Sequence, residues 1–386
     1  MFDLFVDQLG SAAIEDPESR RALLACTLVN EQFYRRASSH IFSSVSISTV
    51  HSHKRLDALR DILNANPYIA RCIHSFTVEA LTRCESLQVV LRQLSFLQKF
   101  GWISEIYCQF HWNKPDTPFS MIENLFNLPS LTAFHFENVM HLRLSLFSGF
   151  CHLESLSLTN VGFAKIGADT LSGSLFSSLK RLEITGALWS DEDVEAVKII
   201  MVCAAPTLTT LILSKTMFMY GEFFFVIFRF FRLSDFSFSL SLYKARFFLN
   251  LNSIVFPVLE SIQMSCLIYP RTNNTIPAFV CQLLDYSAPM VNQIKIEFEW
   301  EYIKSDQPFI FSLANGWLLL DEILSGPKYP SLNTLHLTFS SRCPIRSSGM
   351  DLGSNSVGNF LKERLPCVSS CSRIEMVVNS PTHPTV

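Results

Sequence analysis

The chain has 386 residues, of which 48% are hydrophobic and only 17% are charged, a composition that excludes an intrinsically disordered protein. Its 31 basic and 34 acidic residues give a net charge of −3, so no broad attraction to nucleic acid or to an anionic membrane is expected. The 11 cysteines are scattered without a Cys-x-x-Cys pair, which favours reduced thiols in the cytoplasm or the nucleus.

The first 48 residues have the spacing of three short helices. Residues 2–9 place apolar side chains at intervals of three and four, which gives one amphipathic face. The sequence Asp16-Pro17-Glu18 predicts a helix start, with an N-cap, a proline at the first helical position and an acid near the positive end of the helix dipole. A third helix is predicted from about Asn30 to His40, and a connecting helix or linker over 49–70.

From residue 71 the chain repeats a six-residue motif with apolar side chains at its first, fourth and sixth positions, hereafter the hexad. The motif is clearest at residues 153–158, which read Leu-Glu-Ser-Leu-Ser-Leu. Leu156 and Leu158 alternate with serines, the period of a strand that is buried on one face only. Such a unit needs neighbours to cover its apolar side. Eleven copies of this hexad are found, beginning at Ile73, Ile103, Leu131, Leu153, Leu179, Leu208, Leu233, Leu259, Val291, Leu332 and Cys371.

Most copies follow one another at steps of 22 to 32 residues, widening to about 40 after residue 300. This period is typical of a leucine-rich repeat with a helix between strands. Helical spacing between the copies, as at residues 87–97 and 317–325, supports that alternation. We therefore predict an α/β fold in which residues 71–386 form an irregular leucine-rich-repeat solenoid, a horseshoe with an inner parallel sheet and outer helices.

The N-terminal segment resembles an F-box. Residues 2–9 (Phe-Asp-Leu-Phe-Val-Asp-Gln-Leu) resemble the first helix of that motif, and residues 23–33 (Leu-Leu-Ala-Cys-Thr-Leu-Val-Asn-Glu-Gln-Phe) resemble its second half. Residues 62–78 are similar to the segment that joins the F-box to degenerate repeats in F-box proteins of mushroom-forming fungi. The resemblance implies a substrate-recognition subunit of an SCF (Skp1-cullin-F-box) ubiquitin ligase, which binds a Skp1-like adaptor and an unknown target protein.

Residues 1–48 are accordingly an F-box-like helical module. An F-box normally opens with Leu-Pro and an acid-leucine pair, and this chain begins after the matching positions, so the module is expected to be incomplete at its start. The positions that the resemblance assigns to adaptor binding are Phe5, Val6, Leu9, Leu28, Val29 and Phe33. The alternative for each is that it packs the three helices together, and the alternative for the chain is a repeat-based interaction scaffold with no ubiquitin role.

The candidate target-binding surface is the inner face of the predicted sheet. Residues beside the paired apolar positions of each hexad point to that face, which is mostly small and polar. Simple solvation of an exposed sheet explains any one of them, while a long concave face is what solenoids use to hold a protein ligand. The candidates are Ser155, Ser157, Thr159, Arg181, Glu183, Thr210, Gln263, Lys295, Glu297 and His336.

No pattern in the chain predicts catalysis or a cofactor. Phosphate-binding glycine loops, Gly-x-Ser-x-Gly and His-Glu-x-x-His are all missing from the sequence, so we expect a non-catalytic protein. His51-Ser52-His53 has no third ligand nearby and is better explained as a polar linker than as a zinc site. The apolar run 217–233 contains three charged residues, which favours an aromatic helix over a membrane span.

Overall fold

The fold was obtained as a computed structural model, and the chain divides into two compact units, Met1–Thr170 and Leu171–Val386. Hereafter these are the first unit and the second unit. The structure describes residues 2–13, 16–48, 52–79, 85–104, 110–111, 122, 125, 128–150, 152–165, 175–188, 191–218, 256–268, 284, 288–300, 314–341 and 361–379.

The first unit begins with the helical module, which consists of α1 (Phe2–Ala12), α2 (Pro17–Cys26) and α3 (Glu31–Ile41). The predicted start of α2 is confirmed, because the Asp16 carboxylate accepts hydrogen bonds from the N–H groups of Glu18 and Ser19 at 3.1 and 2.9 Å. Asn30 caps α3 in the same way, accepting from the Phe33 N–H at 3.0 Å.

A parallel sheet follows the helical module in the first unit. Its strands run in the order β1 (Ser44–Ile47), β2 (Ser75–Glu79), β3 (Lys99–Ile103), β5 (Ala133–Glu137) and β7 (Ser155–Thr159). Two short strands, β4 (Phe110–His111) and β6 (Val139–Met140), pair separately. The sheet begins at β1, inside the segment that the sequence assigned to the helical module. The helices described in this part include α4 (Ser52–Ala65), α5 (Pro67–Cys72), α6 (Glu85–Gln93) and a 3₁₀ helix (Leu144–Gly149).

One predicted hexad, the copy placed at Ile103, is wrong. In β3 the buried pair is Phe100 and Trp102, which lie beside Phe134 and Phe136 of β5, so the copy begins at Leu97 and reads Leu-x-x-Phe-x-Trp. Ile103 instead ends the strand. The aliphatic residues after position 103 resemble the repeat in type, but the two large aromatic rings bury more apolar surface and therefore fix the register.

The strands of the second unit are also parallel, in the order β8 (Arg181–Leu188), β9 (Thr210–Phe218), β10 (Ser261–Ile268), β11 (Gln293–Trp300), β12 (Thr334–Ser341) and β13 (Glu375–Asn379). Its helices include α7 (Asp191–Ala204), α8 (Ala314–Ser325) and α9 (Pro366–Ser370). The hexad predicted at Leu233 lies outside the described residues.

The same backbone contact joins consecutive copies in both units. The Thr132 carbonyl accepts hydrogen bonds from the N–H groups of Glu154 and Ser155 at 2.8 and 3.0 Å. In the second unit, the Lys180 carbonyl accepts from Thr209 and Thr210 at 2.8 and 2.9 Å. This recurring contact sets each strand level with the previous one, so the hexads are true structural repeats.

Helices cover one face of each sheet, and the apolar hexad positions point to that covered face. In the first unit, the ring of Phe147 in the 3₁₀ helix lies 6.1 Å from that of Phe136, and the ring of Phe150, which follows the helix, lies 4.9 Å from that of Phe134. In the second unit, Trp317 of α8 lies 5.5 Å from Phe298 of β11. The mixed α/β architecture and the predicted parallel strands are therefore confirmed, and the opposite, open face of each sheet carries the polar hexad positions.

Candidate functional site

The open face of the first unit carries the predicted inner-face residues Ser155, Ser157 and Thr159, all of which are half-buried. A polar cluster forms where β5 and β7 lie side by side. His135 Nδ1 is 3.0 Å from Ser157 Oγ, and His135 Nε2 is 3.4 Å from the Glu137 carboxylate. The strand register places these side chains together because His135 and Ser157 are Cα partners.

The open face of the second unit carries the other seven predicted residues. Arg181 forms an ion pair with Glu183 at 3.3 Å, and the Gln293 amide contacts His336 Nε2 at 3.2 Å. Gln263 and Lys295 are exposed, whereas Thr210 and Glu297 are half-buried. The ten predicted residues therefore divide between the units, with three on strands of the first unit and seven on strands of the second.

Sequence reasoning missed a hydrogen-bonded column at the carboxyl ends of the first unit's strands. Asn138 and Asn160 each follow a strand, and both adopt left-handed backbone conformations, with φ of 56° and 50°. Asn160 Nδ2 donates to Asn138 Oδ1 at 3.1 Å, and Asn138 Nδ2 donates to the Ser104 carbonyl at 3.0 Å. The signal was present in the sequence, since Asn stands two residues after the last apolar hexad position in both copies and tolerates this conformation.

The six residues predicted to bind an adaptor separate into two groups. Val6 is only 1% exposed and forms the core of the helical module with Leu23, Cys26 and Ala37, while Leu9 and Phe33 pack against that core. Phe5, Leu28 and Val29 are instead 52%, 86% and 62% exposed. Leu4 and Leu24 are also exposed, and they were missing from the prediction.

A charged cluster joins the first and last helices of the module. Arg36 of α3 donates to both carboxylate oxygens of Asp7 on α1, at 2.7 and 2.5 Å, and His40 Nε2 lies 2.8 Å from Asp7 Oδ1. The hydrogen bonds from Arg36 and His40 hold the pKa of the Asp7 carboxyl well below its usual range. The cluster therefore fixes α1 against α3.

Polar and aromatic contacts also hold the module to the repeats of the first unit. Asn66, at the start of α5, donates to the Tyr34 hydroxyl at 2.6 Å. The Tyr68 hydroxyl donates to the Arg35 carbonyl at 3.3 Å, and the Arg35 guanidinium lies 5.8 Å from the centre of the Tyr68 ring. The module is thus set in a defined orientation relative to α5.

Three of the described cysteines have a raised thiol pKa, which makes them poor nucleophiles. Burial raises the pKa of the Cys72 and Cys203 thiols, and the hydrogen bond to Asp321 raises the pKa of Cys367. Within the described ranges, no group of three or more His, Cys, Asp or Glu side chains could hold a metal ion. Ser52 and His53 begin helix α4 and are not part of a linker; His51 lies outside the described residues.

No helix among the described residues is long and apolar enough to cross a membrane. Most of the apolar run 217–233 lies outside those residues.

No family model matches the chain, and neither does any curated protein. Among solved structures, the chain is similar to an internalin (InlF) from Listeria monocytogenes, with 11% sequence identity, coverage of 86% of this chain and 90% of that chain, and a TM-score of 0.31. At this score the likeness carries no argument, so the fold rests on the chain's own strand register.

Proposed function

We propose that this chain is a non-catalytic receptor that holds a target protein on the open faces of its repeat sheets and presents it through its N-terminal helices to a Skp1-like adaptor of an SCF-type ubiquitin ligase. The resemblance of residues 2–9 and 23–33 to an F-box supports the ligase assignment. Such a subunit acts by effective concentration and orientation, and contributes no bond-making residue.

The observation that carries the proposal is the set of apolar side chains that the helical module leaves exposed. Val6 and Leu23 complete the interior, yet Phe5 of α1 faces solvent, and so do Leu28 and Val29 in the turn between α2 and α3. Exposed apolar side chains are ordinary when single, but a group of them on a small module is typical of a protein-binding surface. An adaptor that covered this surface would bury apolar area that the module itself cannot cover.

The attachment of the module to the repeats supports the receptor part of the proposal. A receptor gains from tethering only when the target is held in a fixed position relative to the adaptor. The contacts of Tyr34 with Asn66 and of Tyr68 with Arg35 supply such a fixed connection within the first unit.

The test is direct binding of the full chain to a purified Skp1-like adaptor, measured by calorimetry. We expect Leu28→Asp and Val29→Asp to weaken binding at least tenfold, because each places a charge in an apolar contact. Both side chains are exposed, so both variants should fold. The matched control is Val202→Asp, which changes an exposed valine of α7 in the second unit and should leave adaptor binding unchanged.

A second candidate is a repeat-based interaction scaffold with no ubiquitin role. The observation that favours it is the packing of α3 beside α5, which suits helices that merely seal the end of the first repeats. If the adaptor does not bind the intact chain while a target co-purifies from the native cell, the scaffold stands and the ligase assignment is abandoned.

A further inference from the structure

The open face of the second unit carries a row of three side chains that can donate hydrogen bonds to a partner. The strand register places Gln263 of β10, Lys295 of β11 and His336 of β12 side by side. Adjacent strands lie about 4.8 Å apart, so the three side chains stand in a short line across the sheet. Hereafter these three residues are the donor row.

The middle of the donor row is a cation without a counter-ion. Lys295 and Gln263 are exposed, and in the described part of the chain neither side chain has a hydrogen bond or an ion pair. Arg181, on the same sheet, differs because it is paired with Glu183. Lys295 is therefore a basic side chain of this face that is open to a partner.

His336 adds a third donor to the row. Gln293 Nε2 lies 3.2 Å from His336 Nε2. With the amide in this orientation its NH₂ group donates, so His336 Nε2 accepts and the ring proton is on Nδ1. An ammonium flanked by an amide NH₂ and an imidazole N–H is a donor set that suits a carboxylate.

Neighbouring carboxylates restrict what kind of anion fits. Glu297 lies two residues beyond Lys295 on the same strand, and Glu375 of β13 belongs to the same open face. A polyphosphate chain laid along this face would meet these acids, and the net charge of −3 supplies no long-range attraction for one. One carboxylate on an otherwise polar segment meets the donor row without that repulsion.

We infer that the donor row Gln263–Lys295–His336 reads a single acidic side chain in an extended peptide segment of the target protein. This inference rests on the proposed function of the open face and names the chemistry of the partner. Lys295 forms the ion pair with the target carboxylate, and the two flanking donors hold its orientation.

The test is selection of a random nonapeptide library, displayed on phage, against the full chain and three variants. With the wild-type chain we expect peptides enriched about three- to tenfold in Asp or Glu at one position, because a charge-assisted contact on a partly exposed face contributes that much. Lys295→Gln should abolish this preference, and Lys295→Glu should replace it with a preference for Lys or Arg. Lys362→Glu is the matched control, since Lys362 is an exposed lysine outside the sheet, and it should select acidic peptides as the wild type does.

Circular dichroism on each variant checks that the chain is folded, which is expected because Lys295 is exposed. An acidic preference that survives in Lys295→Glu overturns the inference, and so does stronger binding of a labelled oligothymidylate than of the selected peptides. If peptides are selected without any dependence on Lys295, the open face still binds protein and only the donor row is wrong. If no peptide is selected at all, the proposed function of the face fails with it.

Discussion

The two units differ most in how their strands end. In the first unit β2, β3, β5 and β7 have five residues each, whereas β8 to β12 in the second unit have eight or nine. Two residues after the last apolar hexad position, the first unit has Ser104, Asn138 and Asn160, and the asparagines turn the backbone at positive φ. At the same position the second unit has residues that continue the strand, such as Phe298.

One strand of the second unit lies between these two cases. In β8 the equivalent position is Gly186, with φ of 91°, and the pairing with β9 shifts there. The strand nevertheless continues to Leu188 as a bulge. A left-handed residue by itself therefore bends the strand, while the hydrogen-bonded asparagine column ends it.

The largest effect is expected from the aromatic core of the first unit. The Phe134 ring lies 5.5, 5.2 and 4.9 Å from those of Phe100, Phe136 and Phe150. Phe134→Ala should lower the free energy of unfolding by about 3–5 kcal/mol, since it removes buried area and leaves a cavity. Hydrogen exchange followed unit by unit should show the loss in the first unit. Phe96→Ala, at an exposed ring, is the control, and an equal loss there would contradict the assignment of Phe134 to the core.

A smaller effect is expected from Gly101 on the open face of the first unit. A Cβ at this position would lie 2.8 Å from Thr77 Oγ1 and 3.0 Å from its methyl group. Gly101→Ala should destabilise the chain by about 1–3 kcal/mol through this overlap. Adding Thr77→Ala should restore most of the loss, and additive effects of the two changes in urea unfolding would refute the contact.

Two substitutions of Asn138 separate the stability that its side-chain hydrogen bonds contribute from the stability that depends on its tolerance of positive φ. Asn138→Gly keeps a residue that tolerates positive φ but loses the hydrogen bonds to Ser104 and Asn160, for a cost of about 1 kcal/mol. Asn138→Ala loses these and also pays for the left-handed backbone, so it should cost about 1–2 kcal/mol more. Thermal unfolding of both variants checks this order. Equal stabilities would show that backbone conformation plays no part in ending β5.

The smallest expected effect is a change in how the stability of the helical module depends on pH. The pKa of Asp7 is lowered in the folded chain relative to about 3.9 in the unfolded chain, so its contribution to stability is present above pH 4 and is lost as the pH falls below that. Asp7→Asn should weaken the module at pH 7 and flatten its acid dependence below pH 4, as measured by hydrogen exchange. Glu31→Gln is the control, because the Glu31–Arg35 pair is exposed and should contribute less than about 0.5 kcal/mol. An unchanged acid profile in Asp7→Asn would contradict the role of the cluster.

Much of the repeat architecture could be predicted from the sequence, because the spacing of apolar residues within each hexad depends only on neighbouring positions. The hexads at Leu131, Leu153 and Leu332 predicted both the strand and its buried face, since alternation with period two places Leu156 and Leu158 on the same side. The sequence also carries a signal, not used in the prediction, for the turn that precedes the strand of several copies. A proline stands two residues before the hexad, at positions 129, 206, 257, 289 and 330. In the copy at Leu332 this turn is closed by the hydrogen bond from the Leu332 N–H to the Tyr329 carbonyl, at 3.2 Å.

The sequence by itself determined which side chains alternate, where α2 and α3 begin, and which residues reach an open face, because each of these depends on neighbours a few positions away. Only the tertiary structure decided that Phe100 and Trp102 fix the register of β3, that Val6 is interior while Leu28 is exposed, and that Gln263, Lys295 and His336 form one row. These outcomes depend on which chemically similar residues meet across strands and helices distant in sequence, and a local pattern carries no information about that pairing.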